Sequence, residues 1–298
     1  MSLSNDVIHI IFNHTRHFYG LLDPQGTVLE LNQRALEVIG LTHDQAVGNS
    51  IWMSDLWLQE EQPHLQEAVV QARQGESAQL QLQIRGADGG LNTLDLSLYP
   101  IKDDTGHVVY LLSEGHDITH LKKVEAQLRH DSLHDSLTGL PMRTLFMDRL
   151  EHAAIYAKRN ANFRFAVFYI DLDGFKAVND ILGHDSGDNV LVSIARQLNG
   201  CVRACDTVAR LSGDEFAVLL EHLSGPEDAT QLAERMVRNL VVSSNVGGHE
   251  VSVSASIGVA FSGQHVEMLN LLHAADTAMY QAKAAGKARY HVFNELAS

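Results

Sequence analysis

The run FRFAVFYIDLD, Phe163 to Asp173, constrains the second half of this chain more than any other stretch. It is nearly continuous in apolar residues and ends in acids, so it reads as a central strand of a sheet. A second acid-tipped element follows in ARLSGDEFAVLL, Ala209 to Leu220. Its two strand-like halves, DTVARL and FAVLLEH, flank a Ser-Gly turn, which places Asp214 and Glu215 at a hairpin tip. Carboxylates held together repel, and partial burial raises the cost of their charge. A positive group is therefore expected beside them. If the two acid-tipped strands are neighbours, Asp171 faces the hairpin acids. Three carboxylates at one site call for a hard divalent cation such as Mg²⁺, with Mn²⁺ as a substitute, and favour phosphoryl or nucleotidyl transfer.

The surrounding pattern supports a mixed sheet. RTLFMDRLEHAAIYAKRN, SGDNVLVSIARQLNG, ATQLAERMVRNLVV and MLNLLHAADTAMYQAKAAGK have helical spacing, and VSVSASIGVAF alternates as a strand. The order α-β-α-β-β-α-β-α suits a sheet with antiparallel strands and helices on one face.

The first segment, residues 1–119, has a different grammar. FYGLLD and TVLELN flank PQG as a hairpin, QRALEVIG is a short helix, and THDQ offers a capping box. EEQPHLQEAVVQARQG is helical, with Leu65, Ala68, Val69 and Ala72 on one face. AQLQLQIR, LNTLDLSLYP and VVYLLSEGHDIT follow as three strands, with turns at ADGG and KDDTGH. Residues 120–135 form a polar connecting helix in which Leu121, Val124 and Leu128 keep coiled-coil spacing until Asp131 interrupts it.

The 298 residues suit two domains. A net charge of −15 argues against binding to a nucleic-acid polymer or an anionic membrane, though not against a small phosphorylated ligand. Cys201 and Cys205 lack metal-site spacing, so free thiols in a reducing compartment are expected. No apolar run reaches the roughly 18 to 20 residues of a membrane helix, and the start lacks signal-peptide character. The expected location is cytoplasmic. The last residue, Ser298, leaves no room in this sequence for a phosphodiesterase segment.

The first segment resembles a PAS domain in its strand-helix-meander order and in the closing DIT, Asp117 to Thr119. Its ligand is not readable. His14, His17, His43, His64, His107 and His116 are candidate metal or haem contacts, although a lone histidine more often lies on the surface or in a core. Trp52 and Trp57 read as packing residues.

The second segment, residues 136–298, resembles the GGDEF diguanylate cyclases. SGDEF matches their signature with Ser212 in place of the first glycine. DSLTGLPMR, DLDGFKAVND, LGHDSGD, SASIGVAF and YQAKAAGK match flanking motifs in order. Met142 and Lys287 depart from the usual Asn and Arg. The resemblance implies an α+β chain. It comprises a PAS-like antiparallel sheet with short helices, a helical linker, and a palm-like α/β sandwich of adenylyl cyclase and polymerase type. It implies condensation of two GTP into cyclic di-GMP by a homodimer, each subunit holding one GTP. It further implies that Asp171, the Leu172 carbonyl, Asp214 and Glu215 hold the metal, and that Asp214, Glu215 and Lys176 are catalytic. Asn179, His184, Asp188, Ser212, Gly213, Lys283 and Lys287 would contact GTP, with Asn179 and Asp188 at the guanine edge. Arg203 and Asp206 of RACD match the family's product-inhibition pair. The rival reading is a catalytically weak or silent receptor that binds GTP or cyclic di-GMP and signals through contacts.

Overall fold

A computed structural model describes residues 10–53, 57–85, 89–160, 162–246, 249–263 and 270–294. The chain divides into two compact units, Met1–Gln127 and Leu128–Ser298. The division falls inside the connecting helix.

In the first unit, five antiparallel strands lie in the order β2-β1-β5-β4-β3. These are β1 (Phe18–Leu22), β2 (Val28–Leu31), β3 (Ala78–Arg85), β4 (Leu91–Lys102) and β5 (Val108–Asp117). Between β2 and β3 come α1 (Gln33–Ile39), α2 (His43–Ala46), a 3₁₀ turn (Ile51–Met53) and α3 (Gln62–Arg73). Asn32 caps α1 by accepting from the Ala35 N–H, and Gly40 ends it in the left-handed region. Thr42 and Gln45 form the expected capping box on α2. Helix α3 buries Leu65, Ala68, Val69 and Ala72, as its spacing predicts. Leu82, Ile84, Leu94, Leu96, Leu98 and Leu111 complete the core from the strands. Positions 87 and 88 of the ADGG turn lie outside the described residues, as do residues 1–9 of the amino terminus.

Helix α4 (Thr119–Leu133) joins the units and contains no buried residue. Leu121 is 61%, Val124 40% and Leu128 63% exposed, so its apolar stripe is left uncovered in one chain.

The second unit holds a sheet in the order β11-β10-β6-β8-β7, with β9 paired to β10. Its elements are α5 (Arg143–Arg159), β6 (Ala166–Asp173), α6 (Phe175–Leu182), α7 (His184–Cys201), β7 (Thr207–Ser212) and β8 (Glu215–Leu220). They continue with α8 (Pro226–Asn239), β9 (Val242–Val246), β10 (His249–Phe261), α9 (Leu271–Ala284) and β11 (Tyr290–Val292). The expectation of helices on one face is corrected here. Ala166, Phe168, Ile170 and Leu172 pack with α6, α7 and α8. Val167 and Tyr169 pack with α5 and α9 on the other face. A strand apolar at every position needs both faces covered, and here both are. Phe146, Phe165, Phe168 and Phe216 are fully buried, each stabilising the unit by about 1.5–3 kcal/mol. Close contact between α9 and β10 depends on Gly258, where a Cβ would lie within 2.2 Å of the helix backbone at Met279. Among the described residues no helix is long and apolar enough to cross a membrane. Cys201 and Cys205 are free thiols, the first buried and the second exposed.

Candidate active site

Strands β6 and β8 are antiparallel neighbours, and their register sets Asp171 opposite Glu215. Opposed residues of such a pair project to the same face, so the two acid-tipped elements converge. The turn between β7 and β8 passes through Gly213 at φ 40°, a conformation that favours glycine. Among the described residues, no atom beyond its two chain neighbours lies within 4 Å of where a Gly213 Cβ would sit, so the glycine serves the backbone conformation and leaves open space. The Ser212 hydroxyl donates a short hydrogen bond to Glu215 Oε2. The substitution of the signature's first glycine thus adds a hydroxyl that orients an acid.

The expected positive group is Lys283, on the last turn of α9, with Nζ 2.7 Å from Asp171 Oδ1. Burial, then the Asp171 carboxylate, push the Asp214 carboxyl above its ordinary range, with Lys283 acting in the opposite sense. Burial and a hydrogen bond to Glu215 likewise raise the Tyr169 hydroxyl. Tyr169 lies two residues before Asp171 on β6, so strand alternation puts both on one face; the sequence reading did not use it. The site therefore brings Asp171 opposite Glu215, with the Lys283 ammonium on Asp171 and the Asp214 carboxyl near enough to feel all three charges. Its donors are all oxygen and its excess charge is negative, which fits a hard divalent cation of the Mg²⁺ class.

The hairpin is tied down by groups far away in sequence. The Leu172 N–H donates to the Asp214 carbonyl at 3.3 Å. Arg210 Nε donates to the Gly213 carbonyl and its Nη1 to Asp135 Oδ1, both at 2.9 Å. Asp135 also accepts from the Thr138 hydroxyl and N–H. Burial works to raise the Asp135 carboxyl, but the Thr138 hydrogen bonds and the Arg210 guanidinium outweigh it and hold the group below the usual range.

Helix α6 carries Lys176, which is exposed, and Asn179, which is half-buried. Helix α7 begins at His184 and carries Asp188, both exposed. Asn179 and Asp188 are linked through Gly187: a Cβ there would stand 2.0 Å from Asn179 Oδ1. The bare glycine, the residue before Asp188, lets the amide lie against α7, a relation the sequence reading missed. Lys287 sits past α9 in the left-handed region at φ 61°, with its N–H donating to the Ala282 carbonyl. The buried Asp173 is not part of the cluster's open face. It accepts from Ser254, Ser256 and the Ala288 N–H, anchoring β10 and the loop that bears Lys287.

Comparison with known proteins decides the family. The model of the diguanylate cyclase GGDEF domain matches residues 132–289, and that of a PAS fold matches residues 12–123. The chain belongs to the GGDEF diguanylate cyclase family. It is 46% identical over 176 residues to the bifunctional diguanylate cyclase/cyclic di-GMP phosphodiesterase MucR of Pseudomonas aeruginosa, covering 59% of this chain and 25% of MucR. It is 30% identical over 276 residues to the diguanylate cyclase DgcM of Escherichia coli, covering 90% of this chain and 64% of DgcM. The solved GGDEF domain of TpbB from P. aeruginosa superimposes with a TM-score of 0.51 at 42% identity, covering 54% of this chain and 94% of that one. The chain thus spans between a quarter and about two thirds of the length of these curated relatives.

The remaining expected residues of the GGDEF unit lie elsewhere. Arg203 and Asp206 precede β7, at the end of the hairpin away from its tip. The six residues of β7 span roughly 20 Å. Arg203 is exposed, whereas Asp206 is buried and accepts from the Arg203 and Glu221 N–H groups. Asp206 therefore holds the loop that displays Arg203.

In the PAS unit the candidate histidines separate. His14 bonds locally to the Ile10 carbonyl, His43 to Glu30, His64 to Glu61 and His107 to Thr105. His17 and His116 meet, with Nδ1 atoms 2.6 Å apart. Trp57 is core, its indole N–H donating to the Ile51 carbonyl, and Trp52 packs against the same cluster. A cavity of about 600 Å³ opens within this unit, lined by Leu31, Val38, Ile39, Leu96 and Ser113 among others.

Proposed function

We propose that this chain is an active diguanylate cyclase that condenses two GTP into cyclic di-GMP and two pyrophosphates. The observation carrying this reading is the pairing of Asp171 with Glu215 across β6 and β8, beside Asp214 and the Lys283 ammonium. Asp171, Asp214, Glu215 and the Leu172 carbonyl would hold a divalent cation, Mg²⁺ or Mn²⁺, that neutralises phosphate charge and orients the attacking oxygen. Lys176, Lys283 and Lys287 balance the triphosphate, and Gly213 leaves room for its approach. Asn179, Asp188 and His184 bind and orient the base end. Ser212 fixes the Glu215 carboxylate by a hydrogen bond, and the Tyr169 hydroxyl stands beside it. Asp214 receives the 3′-hydroxyl proton as that oxygen bonds to the α-phosphorus of the second GTP. The bond from the same phosphorus to the bridging oxygen breaks, and pyrophosphate leaves.

One subunit supplies half of this arrangement, so the reaction needs two chains facing each other. The uncovered stripe of Leu121, Val124 and Leu128 on α4 supports a parallel helix pair that brings them together and transmits the state of the PAS unit. Cyclic di-GMP acts back through Arg203, whose guanidinium suits the O6/N7 edge of guanine. The test is incubation of the purified chain with GTP and MgCl₂, followed by nucleotide chromatography. Cyclic di-GMP and pyrophosphate in a one-to-two ratio support the reading. GTP that is bound but not consumed would establish the receptor reading instead.

A further inference from the structure

Among the described residues, one group of three side chains brings histidine and carboxylate ligand atoms together: His17, Glu114 and His116 of the PAS unit. The local cause is strand register. β1 and β5 are antiparallel with Phe18 opposite Gly115 and Tyr19 opposite Glu114. Alternation turns Gly20, Leu22, Leu111, Ser113 and Gly115 into the core. It leaves Tyr19, Glu114 and His116 on the other face, and His17 continues that face just ahead of β1.

The two imidazoles meet edge to face, 4.1 Å between centroids. Their Nδ1 atoms are 2.6 Å apart, and His116 Nε2 is 3.4 Å from Glu114 Oε1. All three residues offer a ligand atom within 4.8 Å of the others. A first-row cation bound tetrahedrally at about 2.0–2.1 Å holds its ligand atoms about 3.3 Å apart. The present contacts use different nitrogens of His116, Nδ1 toward His17 and Nε2 toward Glu114, so one cation would take a single His116 nitrogen and the side chains would adjust around it from spacings within 4.8 Å. Two ring nitrogens in such contact cannot both present lone pairs: one carries a proton, which a bound cation would displace.

The supports around the group are in place. The Tyr19 hydroxyl donates to Glu114 Oε1 at 2.7 Å. Asn32, fully buried, donates from Nδ2 to the His17 carbonyl at 2.9 Å and accepts from the Tyr19 N–H at 3.1 Å. The Thr15 hydroxyl donates to the same carbonyl at 3.0 Å. Loss of groups that orient metal ligands typically costs about 10–100-fold in metal affinity.

We propose that His17, Glu114 and His116 form a binding site for a divalent first-row transition metal ion of the zinc, cobalt and nickel class, with water completing its coordination. Two imidazoles and one carboxylate select such ions over Mg²⁺, which prefers the all-oxygen cluster of the GGDEF unit. The site lies on the strand that runs into α4, with His116 three residues ahead of Thr119.

The test uses the full chain, stripped with a chelator and returned to excess MgCl₂ so that oxygen-only sites are filled. CoCl₂ is titrated while its visible ligand-field absorption and the imidazole proton resonances are followed. One equivalent per chain is expected, with the His17 and His116 resonances broadened and that of His14 unchanged. His17→Gln and His116→Gln are each expected to weaken binding at least tenfold, and His14→Gln to bind as the wild type does. Absence of the cobalt band in the wild type, unbroadened His17 and His116 resonances, or a wild-type titration in either His→Gln variant at these two positions overturns the proposal.

Discussion

Replacing Gly187 with alanine isolates the guanine-binding role assigned to Asn179. The new Cβ would lie 2.0 Å from Asn179 Oδ1, 3.0 Å from its Cγ and 3.3 Å from Phe175 Cζ. The amide must retreat by about 1.5 Å to reach an ordinary contact of roughly 3.5 Å. That displacement breaks any hydrogen bond it makes to the base. A neutral hydrogen bond contributes about 0.5–1.5 kcal/mol, so the KM for GTP should rise roughly two- to twelvefold. The base is remote from the reacting phosphorus, so kcat should change little. Stability should not suffer, because the clashing atom ends a flexible side chain and alanine improves a helix interior by about 0.8–1.0 kcal/mol. Steady-state pyrophosphate release against GTP concentration, with a thermal melt of the same sample, measures both. A folded variant with unchanged KM would refute the assignment of Asn179 to the base.

Four further outcomes are expected. The Asp135 carboxyl is held below its ordinary range, so its contribution to stability is complete above about pH 3.9 and is lost as pH falls through the lower folded value. Asp135→Asn should therefore flatten the acid limb of the Tm-versus-pH curve, and an unchanged limb would remove Asp135 from that role. Arg203→Ala should raise the cyclic di-GMP concentration needed for inhibition about ten- to a hundredfold. Asp206→Ala should lower Tm instead, since two backbone N–H groups lose their acceptor. Calorimetric product binding unchanged by Arg203→Ala would count against the site. A chain beginning at Ser132 should lose specific activity on dilution, whereas the full chain keeps it through an effective concentration that can reach millimolar. Equal activity of both at low concentration would rule out α4 and the PAS unit as the dimerising element.

What could be read from the sequence was local or strictly periodic. The alternation of β3 and β4, the helix face of α3 and the hairpin at SGDEF all follow from spacing within a dozen residues. The apolar run of β6 announced a buried strand, yet the helices were assigned to one face; its burial at nearly every position was the signal for two. Helix α6 went unread because it has only eight residues between Gly174 and Gly183. Pairings across long separations were illegible. Arg210 meets Asp135 across 75 positions, and His17 meets His116 across 99. Asp206 is the instructive case: a motif marked it as a ligand contact, and spacing alone did not show that its oxygens also accept from the Arg203 and Glu221 N–H groups.

The central claim is that the acids at the ends of β6 and β8 make a cyclase half-site. The most direct measurement compares the wild type with Glu215→Gln at saturating GTP and MgCl₂ by quantitative nucleotide chromatography. The substitution keeps the side chain's size and removes the charge that a hard cation requires. The wild type should convert GTP to cyclic di-GMP and pyrophosphate, and the variant, with an unchanged thermal melt, should yield none. Near wild-type product from Glu215→Gln, or no product from the wild type, would contradict the account.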